Sequence, residues 1–270
     1  MNNQIDRSVD VILDELAAYA KKRVKRAKET VCLEEMREKA MSLPRGDFYF
    51  RHVLESPGMS FICEIKKASP SKGIISEDFP YRKIVKEYEA AGADCISCLT
   101  EPKWFMGSDE IFCQIRSDTY LPMLRKDFTI DEYQLYEAKC MGADAILLIC
   151  ALLNTSAMAN FLDICEEMGI CALVEAHDEK EIESAVSAGA RLIGVNNRNL
   201  KDFTVDLNNA ARLRDKVPPE AIFVAESGVH SSADIVFLKA IGADAVLIGE
   251  SLMKASDKKS VLESFRRAAQ

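Results

Sequence analysis

Four segments of the chain repeat one pattern: "AGADCISCL", "MGADAILLI", "SAGARLIGV" and "IGADAVLIG". Each reads Gly-Ala-(Asp/Arg), one further residue, then an apolar run. The glycines are Gly92, Gly142, Gly189 and Gly242, which sets an internal period of about 50 residues. A glycine there suits the left-handed position that ends a helix, and the apolar run suits a strand buried on both faces. Each period also holds a second strand and helix. "YLPMLRKDF" precedes "DEYQLYEAKC", "GICALVEAH" precedes "DEKEIESAVSA", "AIFVAESG" precedes "SSADIVFLKA", and "MSFICEI" precedes "YRKIVKEYEA". The result is eight strands beginning near residues 60, 94, 121, 145, 171, 191, 221 and 245, each followed by a helix, the last near 258–268. Eight alternating units of this length predict an α/β chain closed into a (β/α)8 TIM barrel. A doubly wound open sheet is the alternative. The regular count weakens it, and so does the lack of a G-x-G-x-x-G loop after the first strand.

No Pro/Gly/Ser-rich linker interrupts the 270 residues, so we expect one barrel domain over 1–270, with 1–47 as an N-terminal helical extension. Within it, "SVDVILDELAAYAKKRVKRAKE" carries Val9, Ile12, Leu13, Leu16 and Tyr19 at helical spacing. Its basic tail, "KKRVKR", reads as a solvated face or as an anion-attracting rim. The helix is expected to lie against the barrel near its mouth. A net charge of -8 argues against general nucleic-acid binding. No run reaches the roughly 18 apolar residues of a membrane span. The nine cysteines are odd in number and sit mostly in apolar runs, and no signal peptide precedes them, so a reducing cytoplasm is expected. Cys95 and Cys98 have a C-x-x-C spacing, but an offset of three in a strand puts them on opposite faces. They read as small core residues, and no metal site is expected.

In such a barrel the chemistry sits at the C-terminal ends of the strands. Glu64 ends the first strand with Lys66 just beyond, Lys126 ends the third and Glu175 the fifth, each closing an otherwise apolar run. The second strand runs into Thr100, Glu101 and "KWFMGS", and the fourth ends almost wholly apolar. The sixth runs into Asn196, Asn197 and Arg198, and Glu226 ends the seventh. Charges facing a barrel interior are costly unless paired, so lysines among glutamates on different strands read as an acid/base set. Burial would raise a glutamate pKa and lower a lysine pKa, bringing both toward neutrality. "ESGV" and "GESL" place glycine and serine after the seventh and eighth strands, the frequent phosphate site of these barrels. Phe105, Phe128, Leu152 and Leu200 are candidate apolar walls for an aromatic substrate. The lone tryptophan, Trp104, suits lid packing as well as substrate contact. His177 reads as a loop residue starting a helix with Asp178, and His52 and His230 show no partners.

These residues carry a family resemblance. The blocks "EIKKASPSKG", "LTEPKWFMGS", "LPMLRKDFTIDEYQLYEAKCMGADAILLI", "LVEAHDEKEIE", "IGVNNRNLKDFTVDL", "AESGV" and "GADAVLIGESLM" resemble, in order, those of the indole-3-glycerol phosphate synthase family of tryptophan biosynthesis. The resemblance implies a substrate, 1-(2-carboxyphenylamino)-1-deoxyribulose 5-phosphate, whose ring closes with loss of carbon dioxide and water. It implies no cofactor or metal, and a small phosphorylated anthranilate-derived partner rather than nucleic acid or membrane. Lys126 matches the family's general acid and Glu175 its general base. Glu64 and Lys66 match the first-strand pair, with the division of acid roles between Lys66 and Lys126 left open. Asn196 and Arg198 match positions facing the substrate, and Glu226, counted with Asn196 in the catalytic set, opens the next loop with Ser227. Ser69, Ser227, Gly228, Gly249 and Glu250 match phosphate-holding positions, Glu250 through its backbone only, and Ser251 adds a hydroxyl. A Schiff-base aldolase, an isomerase or a non-enzymatic partner subunit on the same barrel are the rival readings. A monomer or weak homodimer is expected.

Overall fold

Each repeat glycine lies where the chain leaves a helix and turns into a strand. Gly92, Gly142, Gly189 and Gly242 all take positive φ, between 79° and 94°, a region open to glycine at little cost. The aspartate two residues on has a separate task. Asp94, Asp144 and Asp244 accept the backbone N–H of Phe61, Met123 and Phe223, each at 2.8 Å. Each aspartate thus stitches its own strand to the preceding one at the lower rim. In the copy with Arg191 the carbonyl accepts from Ile222 N of the following strand at 2.9 Å, as those of Asp144 and Asp244 do from Cys171 N and Ser60 N.

The computed structural model describes residues 10–199 and 203–270. Three helices come first: α1 (Asp10–Thr30), α2 (Leu33–Ser42) and α3 (Tyr49–Leu54). Strand β1 (Ser60–Ile65) follows, and the loop after it folds into a small hairpin, β2 (Ala68–Ser69) and β3 (Gly73–Ile74). The chain then alternates: α4 (Tyr81–Ala90), β4 (Cys95–Leu99), α5 (Asp109–Asp118), β5 (Met123–Lys126), α6 (Tyr133–Cys140), β6 (Ala145–Ile149), α7 (Thr155–Met168), β7 (Cys171–Ala176), α8 (Glu179–Ser187), β8 (Leu192–Asn196), α9 (Asn208–Leu213), β9 (Ile222–Glu226), α10 (Ser232–Ala240) and β10 (Ala245–Ile248). Two helices, α11 (Glu250–Lys254) and α12 (Lys258–Ala268), finish it. Strands β1 and β4 to β10 are parallel and close into one barrel, with β1 between β4 and β10. The expected (β/α)8 architecture and its eight strand positions are therefore present. The third barrel strand starts at Met123 rather than near 121, since Pro122 cannot donate to the ladder.

The described part of 1–47 holds two helices, α1 and α2, and α3 follows beyond residue 47. Phe50 and Leu54 of α3 join the cluster that fills the barrel interior. In α1, Leu16, Ala20 and Val24 are buried, while Val9 lies outside the described residues. In the basic tail of α1, Lys21, Lys22, Lys25 and Arg26 are exposed, as the solvated-face reading expects, whereas Arg23 turns to the barrel. Arg23 donates to both oxygens of Asp127, at 2.6 and 3.0 Å, and Lys28 to Asp131 at 2.8 Å. These bonds tie α1 to the loop after β5.

Period-two alternation decides what faces the interior. Ile62, Leu124, Leu173, Leu192 and Val224 belong to the interior cluster, whereas Cys63, Val174, Ile193 and Phe223 pack between sheet and helices. Cys95 and Cys98 fall one in each, as an offset of three requires. An even step from the interior residues leads to Glu64, Lys126, Glu175 and Glu226. They are the last or next-to-last residues of β1, β5, β7 and β9, which alternate around the barrel. Barrel interiors are filled in layers of four from alternate strands, and here the uppermost such layer is three carboxylates and one ammonium. Arg125, one residue out of step with Lys126, points the other way. It pairs with Asp109 of α5 and Glu137 of α6 at 2.8 and 2.7 Å, so two adjacent cations serve a helix junction and the mouth.

Candidate active site

The four-residue layer forms the floor of a cavity at the C-terminal mouth. Glu64, Lys66, Lys126, Glu175, Asn196 and Glu226 all line it. Lys126 Nζ stands 3.2 Å from Glu175 Oε2 and 3.5 Å from Glu226 Oε2. Glu175 Oε1 accepts from Asn196 Nδ2 at 3.1 Å, and Lys66 Nζ donates to Glu64 at 2.5 Å. Glu226 Oε1, by contrast, is buried with no partner.

This unequal pairing reverses the expected pKa directions for two groups. Burial alone would push Lys126 down, but the charges of Glu175, Glu226 and Glu64 outweigh it and hold the ammonium above its ordinary value. Burial would likewise raise Glu175, but Lys126, His177 and Asn196 hold it well below the usual carboxylate range. Glu226 moves the other way, to about 8. Burial and the neighbouring Glu175 and Glu64 charges raise it, and Lys126 only partly offsets them. Sequence reasoning assumed that burial would dominate everywhere. It dominates where partners are scarce, at Glu226, and loses where Lys126, His177 and Asn196 surround a carboxylate.

Two glycines make the room. A Cβ on Gly194 of β8 would stand 2.1 Å from Glu226 Oε1, and one on Gly249 would stand 2.4 Å from Glu64 Oε1. Both lie on strands or strand ends between the charged ones, so each seats a carboxylate from the next strand. The signal was present in "LIGVN", since glycine inside a strand marks a close approach. We expect Gly194→Ala to fold as a barrel yet lose about 10²-fold in kcat, because a shift near 1 Å in a reacting group is that costly. Steady-state kinetics beside a melting curve check this, and an unchanged kcat would show that Glu226 needs no fixed seat.

Around this floor the walls are apolar. Phe105 and Phe128 line the cavity with ring centroids 6.0 Å apart, joined by Leu147 and Ile149, and Ile12, Leu13 and Leu16 of α1 roof it. Leu152, in the 3-10 turn over Cys150–Leu152 after β6, does not line the cavity and packs against both the interior and the outer cluster. Leu200 lies outside the described residues. Trp104 also stays off the cavity and packs edge-on against Tyr19 of α1, with centroids 5.6 Å apart. Glu101 fixes that loop by accepting the N–H groups of Lys103, Trp104 and Phe105 at 2.7–2.9 Å.

Ser69, Arg198, Ser227, Gly228, Gly249 and Glu250 ring the cavity on its other side. Ser227 and Gly228 take φ of 63° and 96°. For serine this costs about 1–3 kcal/mol, held here by Asn197 Nδ2 donating to Ser227 O at 3.1 Å. The Glu250 carboxylate turns to Lys254 at 2.7 Å and faces Lys72 and Arg198 at 3.7 and 3.8 Å. Ser251 does not line the cavity, and its Oγ is buried without a partner. His177 is the residue sequence reasoning undervalued: its ring reaches Glu175 at 3.3 Å. His230 lines the rim. Among the described residues, no cluster of His, Cys, Asp or Glu could hold a metal ion.

A (β/α)8 barrel whose mouth pairs a buried lysine with buried carboxylates beneath aromatic walls defines an acid/base barrel enzyme. The family profile for Indole-3-glycerol phosphate synthase matches residues 13–265. The indole-3-glycerol phosphate synthase of Ruminiclostridium cellulolyticum is 50% identical over 96% of this chain and 100% of its own. That of Lachnoclostridium phytofermentans is 44% identical over 97% of each chain, and that of Endomicrobium trichonymphae 49% over 92% of this chain and 96% of its own. The chain belongs to the indole-3-glycerol phosphate synthase family, carboxy-lyases of tryptophan biosynthesis. Among solved structures, a 3-hexulose-6-phosphate synthase superposes with TM-score 0.64 at 16% identity, over 78% of this chain and 100% of that one. The thiamine phosphate pyrophosphorylase of Pyrococcus furiosus does so with TM-score 0.60 at 16% identity, over 82% and 97%. These two likenesses concern the fold alone.

Proposed function

We propose that this chain converts 1-(2-carboxyphenylamino)-1-deoxyribulose 5-phosphate to indole-3-glycerol phosphate, with Lys126 as general acid and Glu175 as general base. The observation that carries this reading is Lys126 held between Glu175 and Glu226 at the floor of an aromatic-walled cavity. In the first step the aromatic carbon bearing the carboxylate attacks the ketone carbon. The ketone oxygen takes a proton from Lys126, and the carbon–carboxylate bond breaks to release carbon dioxide and restore the benzene ring. The resulting hydroxyl then takes a second proton, from Lys66 or from a Lys126 reprotonated by solvent, and leaves as water, and Glu175 takes the proton lost as the five-membered ring becomes aromatic. An ammonium held above its ordinary pKa is charged when substrate arrives, and a carboxylate held below its own is free to accept a proton.

The other cavity residues complete the assignment. Lys66 faces the substrate carboxylate, oriented by Glu64. Asn196 fixes Glu175, and a protonated Glu226 leaves Lys126 facing one ionised carboxylate fewer. Phe105, Phe128 and the apolar face of α1 hold the aromatic ring. Ser69, the backbone of Ser227, Gly228, Gly249 and Glu250, and the Arg198 guanidinium receive the phosphate. Ser251 has no part in that set, since its hydroxyl is off the cavity. The working site is that of a cytoplasmic enzyme acting on a small phosphorylated molecule, with no cofactor.

Incubating the purified chain with the anthranilate-derived ribulose phosphate should give indole absorbance and fluorescence together with one carbon dioxide per turnover. Absence of indole from folded protein would sink the proposal. A substrate adduct trapped on Lys126 by borohydride would replace it with imine chemistry.

A further inference from the structure

His177 lies just past the end of β7, ahead of α8, and none of the chemistry above requires it. Its surroundings are nonetheless specific. Nδ1 is 3.0 Å from Glu181 Oε2, and Nε2 is 3.3 Å from Glu175 Oε1. The second contact is an ion pair outside good hydrogen-bond alignment. Ionised carboxylates are acceptors only, so an imidazole between two of them must carry protons on both nitrogens to satisfy both. Glu181 is itself held: its carboxylate accepts the His177 backbone N–H at 2.7 Å, and its own N–H donates to Asp178 at 2.9 Å. Those backbone bonds cap the helix whatever ring stands at 177, so capping does not explain the ring's placement.

The other groups facing this position are few. Glu175 belongs to β7 and Glu181 to α8. Asn209 of α9 donates to the His177 carbonyl at 3.4 Å, and Cys150 donates to the Glu181 carbonyl at 3.4 Å. Lys126 and Glu226 lie on the far side of Glu175. Glu175 Oε1 is thus taken up by Asn196 and His177, and Oε2 is left toward Lys126 and the cavity.

We propose that His177 is a positioning residue for the general base: as an imidazolium clamped by Glu181, it pins one oxygen of Glu175, keeps that carboxylate ionised and aims the other oxygen at the substrate. This rests on the assignment of Glu175 as the base. The charge balance agrees. Burial alone would lower the imidazole, but Glu175 and Glu181 outweigh it and raise it to about 10.

The chain has three histidines, so 15N-imidazole NMR can follow each, with the His177 signal identified by its loss in His177→Gln. The ring should stay doubly protonated through pH 8, and in Glu181→Gln it should titrate at least about 1 pH unit lower. In His177→Gln the acid limb of kcat/KM should move up by about 1 pH unit, because an opposite charge beside Glu175 is gone. kcat should fall about 10-fold with KM nearly unchanged, the signature of a displaced base. A wild-type ring that titrates near 6.5 would overturn the proposal. So would variants whose pH limbs match the wild type. If His177→Gln fails to fold, Glu181→Gln carries the same test. Glu175→Gln measured alongside separates the failures. An active Glu175→Gln overturns the base assignment, whereas an inactive one beside an unshifted His177→Gln overturns only the role of His177.

Discussion

Replacing Lys126 with alanine should lower kcat by about 10³-fold or more while the protein still binds its substrate. A positioned proton donor contributes about 10²–10⁴-fold, and here the loss is compounded. Lys126 is the cation of a layer whose other members are Glu64, Glu175 and Glu226. Without it, Glu175 loses the largest charge holding its pKa down, and like charges at close range push one another toward the neutral acid. On the proposed assignment, the alanine variant therefore loses its acid and compromises its base together. Lys126→Arg separates the two effects. It keeps the positive charge and so a depressed Glu175, but a guanidinium is a poor proton donor near neutrality. Both variants should be slow, and only the alanine one should also show a raised acid limb. Single-turnover kinetics and product titration followed by indole fluorescence measure turnover and binding separately. Turnover near the wild-type value in either variant would remove Lys126 from the mechanism.

The second large effect belongs to Glu175. Glu175→Gln keeps the shape and can still meet Asn196 Nδ2 through its amide oxygen, yet it cannot accept the proton at the final step. A loss of about 10²–10⁴-fold in kcat is expected, with product affinity retained. Stability responds with a defined sign. The folded pKa of Glu175 is depressed below its ordinary 4.5, so its ionisation stabilises the fold above that pH and ceases to do so as the pH falls toward the folded value. The wild type should therefore melt above Glu175→Gln at neutral pH, and the gap should narrow as the pH drops below 4.5. A gap that widened on acidification would mean that Glu175 is not held ionised by its neighbours.

Strand periodicity explains why so much of this site was readable beforehand. The repeat placed eight strands, and four of their apolar runs ended in a charged residue. Because side chains alternate strictly along a strand, Glu64, Lys126, Glu175 and Glu226 had to share the interior with Ile62, Leu124, Leu173 and Val224. The Cys95 and Cys98 separation followed from the same rule. What resisted reading was every property that depends on distance between strands. Lys126 and Glu175 are 49 residues apart in the chain, and no local pattern says that a third group, Asn196, will meet the same carboxylate. Nor does any local pattern say that Gly194 is small because Glu226 needs its space.

Local chemistry alone therefore determined the barrel, its repeat and the types of residue at its mouth. Those depend on alternation, capping and burial over a few residues at a time. Tertiary structure decided which of those charges is proton-poor and which proton-rich, turned Arg23 of α1 into a latch on Asp127, and set His177 against Glu175. These outcomes follow from Coulomb energies that change steeply over a few ångströms in a poorly screened interior, and such separations exist only once the strands have closed.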